Sequence, residues 1–263
     1  MTWLRTRAFT VAFYVTTAAF LVLGSPLLFA PRTWAMAGLR LHAHTCLWLL
    51  RIIAGTRFEL RGREHLPQGP ALIVSKHQSV WETFAMITVL RDPAIVLKAE
   101  LTRIPLYGSF CKKFAHILVE RNKRAQALKA MTEAARLRLA DRRDILIFAE
   151  GTRVPPDAPP AYKPGFLSLY ETLAVPLVPV ALNSGVFWPP RGSLERTGTI
   201  IVEIGPPVEP GLSRVEVKRN AVDWIETRTA ALVAEARGAL GQAEPPRVSA
   251  PGDGAPIESA KNV

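Results

Sequence analysis

Hydrophobic residues follow two regimes along the chain. From Ala8 to Pro31 no charged side chain interrupts a run of apolar, aromatic and small polar residues, and a short basic lead (Arg5, Arg7) precedes it. That length is enough to span the hydrocarbon core of a bilayer. It exceeds a typical signal-peptide core, and Arg32 stands between it and the cleavage-like triplet Ala35-Met36-Ala37. A soluble helix would show a polar face, and this run has none. From Trp34 to Gly55, Arg40, His42, His44 and Arg51 punctuate Leu, Trp and Ile, which predicts an amphipathic helix lying at a headgroup surface. Basic residues flank both ends of the first run, so the positive-inside rule gives no single orientation. One span and a re-entrant hairpin with both ends cytoplasmic are equally compatible with the pattern.

From Arg57 the period changes. Short β-rich runs fall at Phe58–Arg61, Ala71–Ser75, Ala94–Lys98, Ile117–Glu120, Asp144–Ala149, Val175–Leu182 and Thr199–Ile204. Helical patterns separate them at Val80–Leu90, Pro105–Lys113, Arg124–Leu139, Phe166–Thr172 and Arg214–Ala239. This alternation predicts an α/β fold, a mainly parallel central sheet flanked by helices, with an N-terminal membrane-inserting helical segment. The expected division is residues 1–55 as membrane-anchoring helices, 56–242 as the α/β domain, and 243–263 as a tail. That tail is rich in Pro, Ala, Ser and Gly and too poor in apolar residues to bury a core, so it is expected to be disordered.

A net charge of +11 makes the surface strongly basic and points to an anionic partner: a membrane surface, a phosphorylated substrate or nucleic acid. The two cysteines, Cys46 and Cys111, lack metal-ligand spacing, so a zinc site is not expected. Walker and GxGxxG loops are missing, and there is no interleaved aromatic and basic stripe of a single-strand nucleic-acid platform.

The candidate chemistry lies where strands end, because parallel sheets gather their sites at the carboxyl edge. Ser75-Lys76-His77-Gln78-Ser79-Val80-Trp81-Glu82 leaves the second strand and enters a helix. A histidine exchanges protons near neutral pH, and a carboxylate beside it fixes the tautomer and stabilises the imidazolium. Ser79 reads as a helix cap. Phe148-Ala149-Glu150-Gly151-Thr152-Arg153 follows another strand. There Gly151 permits close backbone approach, Thr152 offers a hydroxyl, and Arg153 offers a planar fork for phosphate oxygens. Lys98 and the pair Glu120-Arg121 end two further strands. Together these residues describe a base beside a cationic pocket for an anionic headgroup.

These blocks closely resemble the glycerolipid acyltransferase family, in particular its bacterial 1-acyl-sn-glycerol-3-phosphate acyltransferases. His77 to Glu82 matches the histidine-x4-acid block, Ile117 to Arg121 the second, Phe148 to Arg153 the third, and Val175-Pro176-Leu177-Val178-Pro179-Val180 the fourth. Lys98-Ala99-Glu100-Leu101 and Tyr162-Lys163-Pro164-Gly165 fit linking positions, and coverage runs from about Arg57 to Pro207. Two departures stand out. The usual Asp of the first block is Glu82, and the usual Pro before the third-block Glu is Ala149. The resemblance implies acyl transfer from acyl-CoA or acyl-carrier protein to the sn-2 hydroxyl of lysophosphatidate, giving phosphatidate in phospholipid biosynthesis. It implies His77 as general base oriented by Glu82, and a phosphate site of Lys98, Arg121, Gly151, Thr152 and Arg153. Glu150 is expected to order the Gly-Thr-Arg turn or an arginine. No metal, no cofactor and no nucleic acid are implied. The expected location is the bacterial inner membrane, with the catalytic domain on the cytoplasmic face. A different lysolipid acceptor, such as a lyso-ornithine lipid, fits the same blocks.

Overall fold

The computed structural model describes residues 2–120 and 124–241. Arg121 and the predicted tail lie outside them. The apolar start does not run on as one helix. Helix α1 (Thr2–Leu23) ends at Gly24-Ser25-Pro26, a short 3-10 turn follows, and α2 (Arg32–Leu49) folds back along it before closing in a π turn, Leu50–Ala54. The result is a helical hairpin. Across it His42 Nε2 lies 3.1 Å from the Thr17 hydroxyl, with the Phe20 ring beside it.

Seven strands follow: β1 (Arg57–Arg61), β2 (Leu72–Ser75), β3 (Ala94–Lys98), β4 (Ile117–Val119), β5 (Ile145–Phe148), β6 (Leu177–Leu182) and β7 (Thr199–Ile204). Between and after them come α3 (Trp81–Val89), α4 (Tyr107–Lys113), α5 (Arg124–Ala140), α6 (Gly165–Leu173), α7 (Ser184–Phe187), α8 (Arg214–Val217) and α9 (Asp223–Ala239). The sheet order is β1-β7-β6-β2-β5-β3-β4, parallel throughout except where β6 meets β7. The central strands β2, β5 and β6 are buried at every position, which explains their unbroken apolar runs.

The predicted strands and helices recur with shifted ends and one interruption. The helix expected over Arg214–Ala239 contains a π turn at Lys218–Val222 between α8 and α9. Val217, Ala221 and Ile225, four residues apart, stay buried through it.

The two sheet faces carry different cores. Ile73, Leu146, Val178 and Ile200 pack under α3 and the hairpin, whereas Leu72, Ile145 and Leu177 pack under α5, α6 and the C-terminal helices. The hairpin belongs to the first core. Phe9 and Phe13 meet the Trp188 ring edge-on at 5.6 and 5.3 Å, and Ala43, Cys46, Leu50 and Ala54 are buried there. Arg32 grips Asp92 with two bonds of 3.0 and 2.7 Å, and Arg40 donates to the Leu90 carbonyl. Of the polar residues that punctuate this segment, His44 and Arg51 are exposed and Arg40 and His42 are half-buried. Arg40 and His42 find partners within the protein, and the outward stripe is Trp34, Leu41 and Trp48, one every seven residues. Val11, Val15 and Val22 continue this apolar surface on α1, and Phe29 in the turn is 93% exposed.

Candidate active site

Strands β6, β2, β5, β3 and β4 run parallel, so their carboxyl ends share one edge. Ser75 is level with Phe148 on one side and Val180 on the other. The chain stays paired for one more residue, with the Lys76 N–H donating to the Val180 carbonyl at 3.0 Å, and then delivers His77.

Glu82 sits in the first turn of α3, where free backbone N–H groups favour a carboxylate. It is fully buried and fully used. Its Oε1 accepts from the N–H groups of Gln78 (2.6 Å) and Ser79 (2.7 Å) and from His77 Nδ1 (2.9 Å). Its Oε2 accepts from the Ser184 hydroxyl at 2.8 Å. Because Oε1 acts as acceptor, Nδ1 carries the ring proton and Nε2 keeps a free lone pair. The imidazole stacks on Phe148 at 4.2 Å and remains 13% exposed. The added methylene of Glu over Asp thus leaves the contact with His77 intact. Ser79, expected to cap this helix, stands one residue before its N-cap, Val80, and its hydroxyl accepts the Trp81 N–H at 3.2 Å.

The third block wraps the same residue. Glu150 Oε2 accepts the His77 N–H at 3.3 Å, and the His77 carbonyl accepts from the Val154 N–H at 2.8 Å. Glu150 does not pair with an arginine; its partner is Lys76, at 2.9 Å, and both side chains are buried. Arg153 is instead exposed in the loop beyond Gly151. Lys76 also reaches Glu226 of α9 at 2.7 Å, and the Tyr162 hydroxyl donates to that same Glu226 oxygen at 2.7 Å. Burial pushes the Glu150 carboxyl above its ordinary range while the Lys76 ammonium pulls it back. Burial, then the neighbouring Glu226, pushes the Tyr162 phenol well above its usual value. Ala149, in place of the usual proline, is held by its carbonyl, which accepts from Lys163 N–H at 2.8 Å.

Gly151 takes the left-handed conformation (φ 66°) that lets the loop turn out toward solvent, and Thr152 and Arg153 beyond it are exposed. Lys98 ends β3, two strands from β2 and so about 10 Å across the edge. Beyond the pairing of the Lys98 main chain with Val119, neither the Lys98 nor the Arg153 side chain has an ion-pair or hydrogen-bond partner among the described residues. The sheet therefore brings His77, Glu82, Glu150, Gly151, Thr152, Arg153 and Lys98 to one edge. The fourth block is core strand, buried throughout β6. Lys76, Ser184, Glu226 and Tyr162 were not assigned a role from sequence. Of these only Lys76 carries a local signal, a charge at the end of an otherwise apolar buried run.

A cavity of about 380 Å³ lined by Arg40, Arg63, Arg91 and Asp144 lies at the opposite edge. Arg40 and Arg91 donate to the carbonyls of Leu90 and Gln68. Those bonds close the end of α3 and the loop beside it, away from His77.

The family model described as Acyltransferase matches residues 57–183. A 1-acyl-sn-glycerol-3-phosphate acyltransferase of Pseudomonas aeruginosa is 34% identical over 207 residues, 77% of this chain and 80% of that protein. The alpha form of the enzyme from Mus musculus is 30% identical over 136 residues, 51% of this chain and 48% of that protein. The crystal structure of the 1-acyl-sn-glycerophosphate acyltransferase from Thermotoga maritima shares the fold, with a TM-score of 0.74 at 19% identity over 89% of this chain and 98% of that one. The chain belongs to the acyltransferase family that contains these 1-acyl-sn-glycerol-3-phosphate acyltransferases.

Proposed function

We propose that this enzyme transfers the acyl group of acyl-CoA or acyl-carrier protein to the sn-2 hydroxyl of 1-acyl-sn-glycerol 3-phosphate, giving phosphatidate and a free thiol. The observation that carries this reading is the His77–Glu82 pair, with Glu82 buried and its acceptors occupied so that Nε2 is the free nitrogen. Nε2 takes the proton of the sn-2 hydroxyl as its oxygen attacks the thioester carbonyl. The tetrahedral intermediate then collapses, the C–S bond breaks, and the imidazolium returns the proton to the leaving thiolate. Glu82 stabilises the imidazolium between these steps. Arg153, Thr152 and Lys98 bind the phosphate from the same edge, and Arg121 is assigned with them from sequence. Alignment of the two substrates supplies the larger share of the rate, since fixing reacting groups contributes roughly 7–11 kcal/mol.

The hairpin beds its outward apolar stripe into one leaflet and brings the carboxyl edge to headgroup depth, where the acceptor resides. Basic residues add roughly 1 kcal/mol each on an anionic surface. Acyl thioesters are soluble cytoplasmic donors, so the site faces the cytoplasm of a bacterial inner membrane. The test is an acceptor screen with purified protein and one acyl-CoA. Lysophosphatidate is expected to turn over faster than glycerol 3-phosphate and lyso-ornithine lipid. Preference for either of the others overturns the assignment of the acceptor, and full activity in His77→Ala overturns the assignment of the base.

A further inference from the structure

Lysine is almost never fully buried unless it is paired, because removing its charge from water is costly. Lys76 is 2% exposed and stands next to His77. Side chains alternate across a strand, so the exit of β2 sends these neighbours to opposite faces. His77 turns toward α3 and Phe148, and Lys76 turns toward α9 and Tyr162.

The Lys76 ammonium donates to Glu150 at 2.9 Å and to Glu226 at 2.7 Å, with the Tyr162 ring 5.6 Å away. The second Glu150 oxygen accepts the His77 main-chain N–H. Glu226, Lys76, Glu150 and the His77 backbone therefore form one continuous chain of contacts. It reaches the base from the face of the sheet opposite Glu82. A carboxylate on Lys76 alone would satisfy the lysine. A carboxylate that divides its oxygens between Lys76 and the peptide of His77 does more, because it fixes where the ring starts.

We propose that Lys76 is a positioning residue for acyl transfer: it holds Glu150 on the main-chain N–H of His77, and Glu226 of α9 holds Lys76. The ring is then fixed at both ends, by Glu82 through Nδ1 and by Glu150 through the backbone. Lys76 touches neither substrate. The C-terminal helix, outside the matched family region of residues 57–183, thereby acts on the base. The proposal rests on the reading of His77 as that base.

The experiment measures kcat and KM for lysophosphatidate and acyl-CoA in Lys76→Met, Glu226→Gln and the double variant Lys76→Met/Glu226→Gln, alongside His77→Ala. Lys76→Met leaves two carboxylates unpaired and is the variant most exposed to misfolding; the double variant removes one of them. Glu226→Gln keeps the shape and the bond to Tyr162. Activity is read in preparations whose melting lies well above the assay temperature. The expected result is a fall in kcat approaching about 100-fold in the double variant, the scale of a small misplacement of a reacting group, with both KM values within about twofold. Glu226→Gln falls less, in the same parameter. A lysine that only supports the fold would lower melting and leave kcat of the folded fraction unchanged, and that outcome overturns the proposal. A change confined to KM overturns it too. His77→Ala separates the two failures: if it is active, the base assignment falls and takes this proposal with it; if it is inactive while the double variant matches the parent, only the proposal falls.

Discussion

Replacing Glu82 by Gln isolates the charge of the residue from its hydrogen bonds. The amide oxygen takes the place of Oε1 and accepts from His77 Nδ1, Gln78 N–H and Ser79 N–H, and the amide nitrogen faces the Ser184 hydroxyl, which rotates to accept. Three bonds each weaken by about 1 kcal/mol when the acceptor loses its charge, the fourth reverses its direction, and relief from burying that charge offsets the loss by several kcal/mol. Folding therefore survives. The ground state also changes little, because a neutral ring gains little from a neighbouring charge. The imidazolium formed during transfer loses the full interaction. With a contact of 2.9 Å, the charge centres lie roughly 4 Å apart, worth about 4 kcal/mol at an effective dielectric constant near 20. At 1.36 kcal/mol per decade, kcat falls about 1000-fold while KM for both substrates stays put. Thiol release from acyl-CoA, followed with a chromogenic disulfide, measures it. A folded Glu82→Gln enzyme within about tenfold of the parent kcat refutes the electrostatic role and leaves Glu82 as a helix-start carboxylate.

Arg153→Ala is expected to raise KM for lysophosphatidate by about 10-fold or more, the worth of one charge-assisted bond, with kcat little changed; an unchanged KM removes Arg153 from the phosphate site. Replacing the outward residues Val11, Val15, Leu41 and Trp48 by Ser or Gln is expected to abolish co-sedimentation with anionic vesicles without lowering the melting temperature, because these side chains are exposed. Retained binding would put the anchor elsewhere. His116 gives a pH dependence of stability. Its half-buried ring lies beside Arg143, its Nδ1 accepts the Ile95 N–H, and desolvation pushes it down to about 3 from 6.5. Below pH 6.5 the unfolded chain takes up a proton that the folded chain refuses. Stability is thus complete well above pH 6.5 and falls by about 3 kcal/mol on the way to pH 4.5. His116→Gln should flatten that slope in urea unfolding at pH 7 and 4.5, and an unchanged slope excludes His116 as its source.

What the sequence made legible was local. His77 and Glu82 are separated by one helical start, and the fixed spacing carries both the contact and its chemistry. The strands were legible because strands buried on both faces are written as apolar runs ended by charge or glycine. Their ends moved where backbone chemistry decides: Val175–Pro176 drops out of β6, and Leu177 starts the strand. The hairpin was half legible. Gly24-Ser25-Pro26 breaks α1, yet whether Arg40 and His42 face lipid or protein depended on Leu90 and Thr17, which pattern alone does not bring together. The order of strands was not legible at all, since periodicity does not say which runs are neighbours. For that reason Ser184 and Glu226, 102 and 150 residues from their partners Glu82 and Lys76, could not be assigned.

The exit of β2 shows why the missing information mattered. Lys76 and His77 are adjacent in sequence and point to opposite layers, one bound to the helices on the α9 side and the other to α3. A single extended residue between strand end and base therefore couples both faces of the sheet to the ring. Register is strict in such a place: a slip of one residue would turn the imidazole to the α9 face and the ammonium to the α3 face. The apolar run Leu72-Ile73-Val74, buried on both sides, and the bonds from Ala149 and Lys76 to the neighbouring strands fix that register. The geometry of the base is thus decided by the packing of a strand whose own residues carry no chemistry.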